Sequence, residues 1–446
     1  MFIASAKTVL FSEAENRFFI KETIMKRVIR MTALVLALVT LLGGLTIGLT
    51  GCKKNADNEI ILWWPSGRAY QSMLNEALER FRAEYPDVQV KVQYKDIDAF
   101  DAYKYALNDD KTRPDVAILD HVYVQALAKD RQIMDLTDTT ADIREKFPET
   151  LYGANMYEGG VYALPMSANT VVLMANLDIL KAAGVVDADG NAKIPTTFEE
   201  LLDACEKVEA SGQTAFAQPN DSFSAMEFAS YVARNGGALV SGDGKTATFT
   251  DEKVIKALSQ WKQLSQYANR NTYEEDKFYN GKVAFVEMGS WSLPKVTGSS
   301  QRFNCGFSEM VTIDASLPNY SGLGLYSLCV AEKTRNREAA VALAKFLATD
   351  KTIQLAFNQE RKLFPVTNET LSDSYYTENE AFRVFAGQMQ KVAARPATPA
   401  WPAMEQAIVN MLFEVVRSED SDLGSITAIA RKYETKVQAE IDMLNR

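Results

Sequence analysis

Histidine and cysteine are scarce in this sequence, which has one histidine and four cysteines among 446 residues. Because His121 stands alone and no two cysteines are closely spaced, the usual ligand set of a bound metal ion is missing. The sequence has no nucleophile-elbow motif and no Ser-His-Asp order of the kind that hydrolases use. Gly322-Leu323-Gly324 lacks the third glycine of a dinucleotide-binding fingerprint and leads into a strand rather than a helix. We therefore expect no cofactor, no metal and no enzymatic activity.

Three cysteines, Cys205, Cys305 and Cys329, follow Cys52 in the chain. Their odd number precludes a complete disulfide framework. Cys205 lies in a helical pattern and Cys329 in an apolar strand, so we interpret them as buried thiols that act as small hydrophobic side chains. One disulfide bridge among the three is the alternative.

Downstream of residue 52 the sequence lacks a second apolar run of membrane-spanning length, a repeat, a low-complexity linker and a block of like charge. Acidic residues outnumber basic ones by 58 to 48, which gives a formal net charge of −10. An acidic surface disfavours nucleic acid and anionic membrane as partners. We expect a monomer that binds no nucleic acid.

The one long apolar run lies near the N-terminus, from Met31 to Leu49, directly after the basic residues of 26–30. It ends in Thr50-Gly51-Cys52, and these features together predict a secretory signal peptide over residues 25–51. Cys52 resembles the lipobox cysteine of bacterial lipoproteins, which is diacylated. Two acyl chains are enough to hold a protein at a membrane, so the resemblance implies an extracytoplasmic protein anchored to the cell membrane only through lipidated Cys52. An uncleaved transmembrane helix is the alternative.

The segments that flank the signal peptide are short. Residues 1–24 have no signal-peptide features and Met25 stands where such a peptide should begin, so we interpret 1–24 as an upstream extension. Residues 52–58 are polar apart from Cys52 and Ala56, and we expect them to form a lipidated tether. Cleavage before Cys52 leaves about 400 residues, a length that usually divides into two domains.

Beyond the tether, short apolar strands alternate with amphipathic helices. Glu59–Trp64 is a predicted strand, Ala69–Tyr85 a predicted helix and Val88–Tyr94 a second strand. A helical segment over 100–107 then leads to a third strand that ends at Asp120. This order predicts an α/β fold with a parallel sheet and right-handed crossovers.

Five stretches occur in the order found in the extracellular solute-binding proteins of bacterial ATP-driven importers. The stretches are Tyr85-Pro86-Asp87-Val88; Arg113-Pro114-Asp115-Val116; 160–165 with 174–180; 278–285 with Gly289-Ser290-Trp291; and 322–331 with 339–347. The sequence therefore resembles this family, which includes the maltodextrin-binding protein. The resemblance implies a subunit that captures a sugar or oligosaccharide and delivers it to the transmembrane permease.

The resemblance also implies a two-lobed periplasmic-binding-protein fold, type II-like, with discontinuous lobes and a ligand cleft at the hinge. We expect lobe 1 to contain residues 57–165 and 288–335, and lobe 2 residues 170–286 and 345–446. The chain should cross between the lobes near 165–171, 285–289 and 336–349. A ligand that touches both lobes would favour the closed form.

Aromatic and carboxylate side chains at predicted strand ends favour a carbohydrate ligand. Sugar rings pack on aromatic faces, and their hydroxyl groups need planar donors and acceptors. Ligands of open α/β sheets lie beyond the carboxyl ends of the strands, where the sequence places Trp63, Trp64, Asp120, His121 and Trp291. Because side chains alternate along a strand, only one of Trp63 and Trp64 can face the cleft, and we favour Trp64.

Five further residues, Asn220, Glu227, Gly322, Arg361 and Trp401, complete the candidate ligand-binding set. Each candidate also has a structural interpretation: Asp120 could cap the helix that follows it, and Trp401 could pin a loop. A binding protein of the same fold that reports to a sensor is one functional alternative. A non-sugar ligand such as a polyamine is another, and a secreted glycoside hydrolase with a pair of acidic residues is a third.

Overall fold

The computed structural model describes residues 59–65, 67–95, 100–269 and 273–446. Residues 1–58 lie outside the described residues. They comprise the predicted upstream extension, signal peptide, lipidation site Cys52 and tether. Within the described ranges, no helix is both long enough and apolar enough to cross a bilayer.

Thirteen strands are described. They are β1 Glu59–Pro65, β2 Gln89–Lys95, β3 Val116–Asp120, β4 Met156–Tyr157, β5 Gly160–Val161, β6 Ala163–Asn169, β7 Val171–Asn176, β8 Thr214–Ala217, β9 Val283–Gly289, β10 Cys305–Ser308, β11 Ser321–Gly322, β12 Gly324–Val330 and β13 Val392–Ala393.

Seventeen α-helices accompany the strands in the described part of the chain. They are α1 Arg68–Glu84, α2 Phe100–Ala106, α3 Val124–Lys129, α4 Glu149–Gly153, α5 Leu177–Ala182, α6 Phe198–Ala210, α7 Ser222–Arg234, α8 Glu252–Ser265, α9 Glu275–Tyr279, α10 Leu293–Val296, α11 Arg337–Thr349, α12 Lys351–Arg361, α13 Asn368–Leu371, α14 Ser374–Thr377, α15 Glu380–Met389, α16 Trp401–Arg417 and α17 Leu423–Leu444. Short 3-10 turns lie at His121–Tyr123, Ala141–Lys146, Ser290–Ser292 and Gly298–Ser300.

The first sheet has five strands in the order β2-β1-β3-β12-β6. Strands β1, β2 and β3 are parallel, as the alternation of strands and helices predicts, whereas β12 is antiparallel to both β3 and β6. Two antiparallel pairings in succession make β6 run in the same direction as β3. The carboxyl ends of β3 and β6 therefore lie at the same edge of the sheet, where β12 begins.

The second sheet has four strands in the order β10-β7-β9-β8. Its central strands, β7 and β9, are antiparallel to each other and buried along their whole length. The chain passes from the first sheet to the second at Thr170, between β6 and β7. Close by, β11 pairs with β13, and the Ser321 hydroxyl exchanges hydrogen bonds with the backbone of Val171 at 2.8 and 3.1 Å. This pairing of backbone segments marks the hinge region.

The assignment of segments to the two sheets differs from the predicted lobes in two places. Strand β10 falls in the range predicted for lobe 1, but it pairs with β7 as the edge strand of the second sheet. Helix α12 falls in the range predicted for lobe 2, but it packs on α1 and β6 of the first sheet. Two predicted crossings also differ, because β9 belongs entirely to the second sheet and α11 packs on β12 and β6.

Helix starts follow local sequence signals. The Thr197 hydroxyl accepts a hydrogen bond from the backbone N–H of Glu200 at 3.2 Å, which makes Thr197 the N-cap of α6. The Glu200 carboxylate accepts from the backbone N–H of Thr196, at 2.9 Å, rather than from Thr197. Thr197 and Glu200, which have the spacing of a capping box, therefore form one whose return bond is shifted by one residue.

Candidate functional site

A cavity of about 440 Å³ lies at the edge of the first sheet where β3 and β6 end. One wall comes from that sheet and carries Asp120 of β3, Asn169 of β6 and Tyr326 of β12. The opposite wall comes from elements that pack with the second sheet, including the first turn of α7. The complete lining is Asp120, Tyr123, Asn169, Ser222, Phe223, Met226, Trp291, Tyr326, Arg361, Leu363, Arg395 and Glu405.

Trp291 is the main exposed aromatic surface of this cavity. It lies two residues after the end of β9, is 37% exposed and packs edge-to-face against Phe223 with ring centroids 6.0 Å apart. The indole folds back over Gly289, where a β-carbon would lie only 1.7 Å from Cζ3 of the ring. Glycine at position 289 is therefore what allows the ring to face the cavity.

An ion pair joins the two walls. Arg395 Nη2 donates to both carboxylate oxygens of Asp120, at 2.8 and 2.7 Å, and His121 Nδ1 lies 2.9 Å from Asp120 Oδ1. Burial alone would raise the pKa of Asp120. The charge of Arg395 and the hydrogen bond from His121 nevertheless hold that pKa well below its ordinary value. Asp120 is therefore ionised under any physiological condition.

A second contact between the walls lies beside this ion pair. The Tyr123 hydroxyl donates to Oε2 of Glu405, which is on α16, at 3.2 Å. Burial raises the pKa of Glu405, and the charge of Arg395 only partly opposes that effect. The ring of Tyr123 stacks on Phe100 with centroids 4.1 Å apart. The two contacts thus link Asp120 and Tyr123 on one wall to Arg395 and Glu405 on the other.

Arg361 lines the cavity on another side. Its guanidinium lies 5.4 Å from the ring centroid of Tyr326 and 5.5 Å from that of Phe357, within the range of cation–π attraction. Planar cations, carboxylates and exposed aromatic rings therefore surround one space. This combination suits a polar ligand that has flat apolar faces and hydroxyl groups.

Of the predicted ligand-binding residues, the structure places Asp120, Trp291 and Arg361 on the cavity wall. It places Trp63 and Trp64 elsewhere. Trp63 packs against Tyr103 and donates from Nε1 to Gln93, whereas Trp64 packs against Phe357 in a different core cluster. Both faces of β1, an interior strand of the first sheet, are covered, so neither ring is left to line the cavity.

Four other predicted residues also lie off the cavity wall. His121 is buried, and its Nδ1 contacts Asp120 and the Leu325 carbonyl. Asn220 is exposed beside a separate small depression. Gly322 is buried in β11, opposite Ala393, and Trp401, the first residue of α16, is fully buried in the core.

Glu227, the last predicted ligand residue, is fully buried behind Met226 on α7. Burial first, and then the charge of neighbouring Glu287, raise the pKa of Glu227 well above its ordinary value, while Arg234 opposes the shift. We therefore interpret Glu227 as a protonated core residue.

The raised pKa of Glu227 predicts how the stability of the protein changes with pH. Because its pKa is raised on folding, the folded protein binds this proton more tightly than the unfolded chain does. The stabilisation that comes from binding this proton is therefore complete below the ordinary carboxyl pKa of about 4.3. It is lost as the pH rises through the raised pKa of the folded protein. Glu227→Gln removes this loss, so its free energy of unfolding should increasingly exceed that of the wild type between pH 5 and pH 9 in urea titrations.

The control for that comparison is Glu338→Gln, which changes an exposed glutamate on α11. The difference between this control and the wild type should stay constant across the same pH range. A constant difference for Glu227→Gln as well would contradict the proton uptake assigned to Glu227.

Sequence reasoning missed most of the remaining lining residues. Phe223 and Met226 are one helical turn apart on α7, shortly after the predicted candidate Asn220. Their helical spacing could therefore have indicated them as lining residues. Tyr326 lies inside a strand and Arg395 in a loop before α16. Their approach to Asp120 depends on pairings over more than 200 residues, for which the local pattern holds no signal.

The described residues contain no group of three or more histidine, cysteine or acidic side chains that could hold a metal ion. Cys205, Cys305 and Cys329 are free thiols, two of them buried and one half-buried. Burial raises the pKa of Cys305 to about 12, and the structure excludes the alternative of a bridge among the three. They pack as small apolar side chains.

Two α/β sheets, joined at a paired hinge and separated by a polar and aromatic cavity, define a two-lobed ligand-binding protein. Residues 76–384 match the family model for bacterial extracellular solute-binding proteins. The chain belongs to this family, as the resemblance in its sequence implies.

Individual relatives agree with this membership. The chain is 22% identical over 390 residues to the maltotriose-binding protein of Pyrococcus abyssi, covering 85% of this chain and 82% of that protein. The solved GacH receptor of Streptomyces glaucescens, studied unliganded and with acarbose, superposes with a TM-score of 0.71 at 23% identity, covering 85% and 98% of the chains. UgpB of Mycobacterium tuberculosis, solved with glycerophosphocholine, superposes with a TM-score of 0.73 at 20% identity, covering 87% and 99%. These likenesses confirm the two-lobed α/β fold.

Proposed function

We propose that this protein is the solute-binding subunit of an ATP-driven importer and that it captures a sugar or oligosaccharide in the cavity. The observation that carries the proposal is the cavity itself, where Trp291 presents an aromatic face among guanidinium and carboxylate groups. Sugars need this pairing of flat apolar surfaces with planar hydrogen-bonding groups. Relatives named for maltotriose and acarbose support the same ligand class.

The volume and the charge of the cavity support the same proposal. About 440 Å³ falls within the range of pockets that enclose small molecules. The lining has two arginines, Arg361 and Arg395, and two acidic residues, Asp120 and Glu405, so their formal charges cancel. A cavity for a cationic ligand such as a polyamine would be expected to have more carboxylates than cationic side chains.

A fluorescence titration tests the ligand class. Residues 57–446 would be titrated with monosaccharides and with maltotriose and other oligosaccharides, with a polyamine, an amino acid and glycerophosphocholine as controls. We expect a saturable change in tryptophan fluorescence with one class of sugar, since Trp291 is the exposed indole of the cavity. A response to a control ligand alone would retain the binding protein and overturn the sugar.

The same samples test for catalysis. We propose binding without turnover, because the chain belongs to a family of solute-binding proteins. Chromatography of the added sugar after prolonged incubation should show it unchanged. Hydrolysis at a rate proportional to protein concentration would support the glycoside hydrolase instead.

We further propose that the mature protein is a monomer, anchored outside the cytoplasm through lipidated Cys52, that delivers its ligand to the permease. The lipobox-like Leu49-Thr50-Gly51-Cys52 after an apolar run supports the anchor. Cys52→Ser should move most of the protein from the membrane fraction to the soluble fraction of an expressing bacterium and abolish the mass added by acylation. Cys305→Ser, which changes a thiol in β10, is the control and should leave the distribution unchanged.

A further inference from the structure

The ion pair of the cavity connects residues that are 275 positions apart in the chain. The Arg395 side chain is only 6% exposed and that of Asp120 21% exposed. His121 Nδ1 faces two acceptors, Asp120 Oδ1 at 2.9 Å and the Leu325 carbonyl at 3.2 Å. Nδ1 must therefore carry a proton, and His121 acts as a donor to Asp120.

The acceptor capacity of Asp120 is largely used by the protein. Its Oδ1 accepts from Arg395 and His121 and lies 3.4 Å from the backbone N–H of Val122, while its Oδ2 accepts from Arg395. A carboxylate offers about four acceptor positions, so few remain for the hydroxyl groups of a ligand. This accounting disfavours Asp120 as a direct ligand contact.

Arg395, in contrast, has hydrogen-bond donors that the protein leaves unused. It lines the cavity, and both of its hydrogen bonds to Asp120 come from Nη2, which leaves Nη1 without a hydrogen-bond partner among the described residues. Donors that are largely removed from water are rarely left unpaired in folded proteins, so the Nη1 N–H groups are available to an acceptor that the protein itself does not supply. The ring of Trp401, 5.8 Å from the guanidinium carbon, lies beside the same side chain. Arg395 is therefore held by protein groups yet keeps a free donor.

We propose that Arg395 donates to the bound solute and that Asp120 is a positioning residue, which acts on the ligand only through Arg395. The inference rests on the proposed function, because it takes a solute rich in hydroxyl and ether oxygens as the ligand of the cavity. A guanidinium has five N–H groups in a rigid plane, so it can serve Asp120 and an oxygen of the solute at once. Asp120 fixes that plane before the ligand arrives, which reduces the ordering required on binding.

A double-mutant cycle tests the proposal, with maltotriose as the calorimetric probe. We expect Arg395→Ala to weaken binding by about 30-fold or more and Asp120→Asn by about 10-fold. In the Arg395→Ala background, Asp120→Asn should change affinity by less than about 2-fold, because its effect passes through the missing guanidinium. If the double variant instead loses affinity by the product of the two single-variant factors, Asp120 contacts the ligand independently. That result would overturn the positioning role.

Two further variants test whether the loss of binding reflects only a disturbed structure. Asp130→Asn makes the same chemical change in an exposed ion pair with Lys104 and should leave binding unchanged. Arg395→Lys retains the positive charge but loses the planar fork, so it should bind as weakly as Arg395→Ala, to within about 3-fold. Affinity restored to the wild-type value by lysine would overturn the assignment of a directional donor.

A second readout separates this inference from the proposed function. If wild-type protein binds neither maltotriose nor any other sugar, the proposed function fails, and the positioning role is judged by nuclear magnetic resonance of the ligand-free protein. The Arg395 Nε–H signal, assigned by its loss in Arg395→Lys, should exchange slowly with water in the wild type and at least about 10 times faster in Asp120→Asn. Equal exchange rates would overturn the positioning role.

Discussion

Replacing Arg234 with methionine should lower the free energy of unfolding by about 3–5 kcal/mol, among the largest effects expected of a single substitution in this protein. The Arg234 guanidinium is fully buried on α7, 3.7 Å from Oε1 of Glu287. It also donates to the Val311 carbonyl at 3.3 Å and stacks over the Tyr231 ring at 4.1 Å. Methionine fills similar space without charge, so Glu287 would be left as an uncompensated buried carboxylate.

Urea unfolding at pH 7, followed by tryptophan fluorescence, measures this effect. Arg337→Met is the matched control, because its ion pair with Glu332 is about half exposed and such pairs contribute less than about 1 kcal/mol. Adding Glu287→Gln to Arg234→Met should recover part of the loss, since the uncompensated charge is then removed. A loss of under about 1 kcal/mol for Arg234→Met alone would contradict a stabilising role for the buried Arg234–Glu287 ion pair.

The second large effect concerns ligand affinity. Trp291→Ala should weaken sugar binding by about 30- to 100-fold, or roughly 2–3 kcal/mol, because it removes the main exposed aromatic surface of the cavity. Trp291→Phe keeps a smaller platform and should lose less. Titration calorimetry with the sugar identified by fluorescence gives the affinities without depending on the indole that has been replaced.

Gly289 offers an independent route to the same result. Gly289→Ala keeps the indole but places a methyl carbon where the ring now lies, so the ring must leave its position. Both variants should therefore weaken binding while leaving the unfolding midpoint nearly unchanged. Phe413→Ala, which removes an exposed aromatic ring outside the cavity, is the control. Unchanged affinity in Trp291→Ala would refute the stacking role.

Local periodicity predicted the elements of the first sheet well. The strands β1, β2 and β3 and the helices between them follow from patterns within about 20 residues, and the α/β class is confirmed. Strand β10 was harder to place because its four residues are all half-buried and its partner β7 lies some 130 residues earlier. Which strand covers an edge is decided by tertiary packing, not by the sequence of that strand.

The candidate site shows the same division between local and distant information. Asp120 and Trp291 were predicted because each lies at the end of a recognisable strand or within two residues of it. Trp64 was predicted for the same reason and Trp401 because it lies in a predicted loop, yet a fully covered strand and a helix start buried in the core leave no cleft beside them. Arg395 has no distinguishing local pattern, and only the folded chain brings it to Asp120.

The position of β12 between β3 and β6 has a consequence for biosynthesis. It is an interior strand of the first sheet, yet roughly 150 residues separate its start from the end of β6. At about 5–20 residues per second, a ribosome needs on the order of 8–30 s to add that stretch. Throughout that interval β3 and β6 have no shared neighbour, so the nascent chain cannot close its first sheet. The order of the strands thus delays closure of the first sheet until β12 has been synthesised.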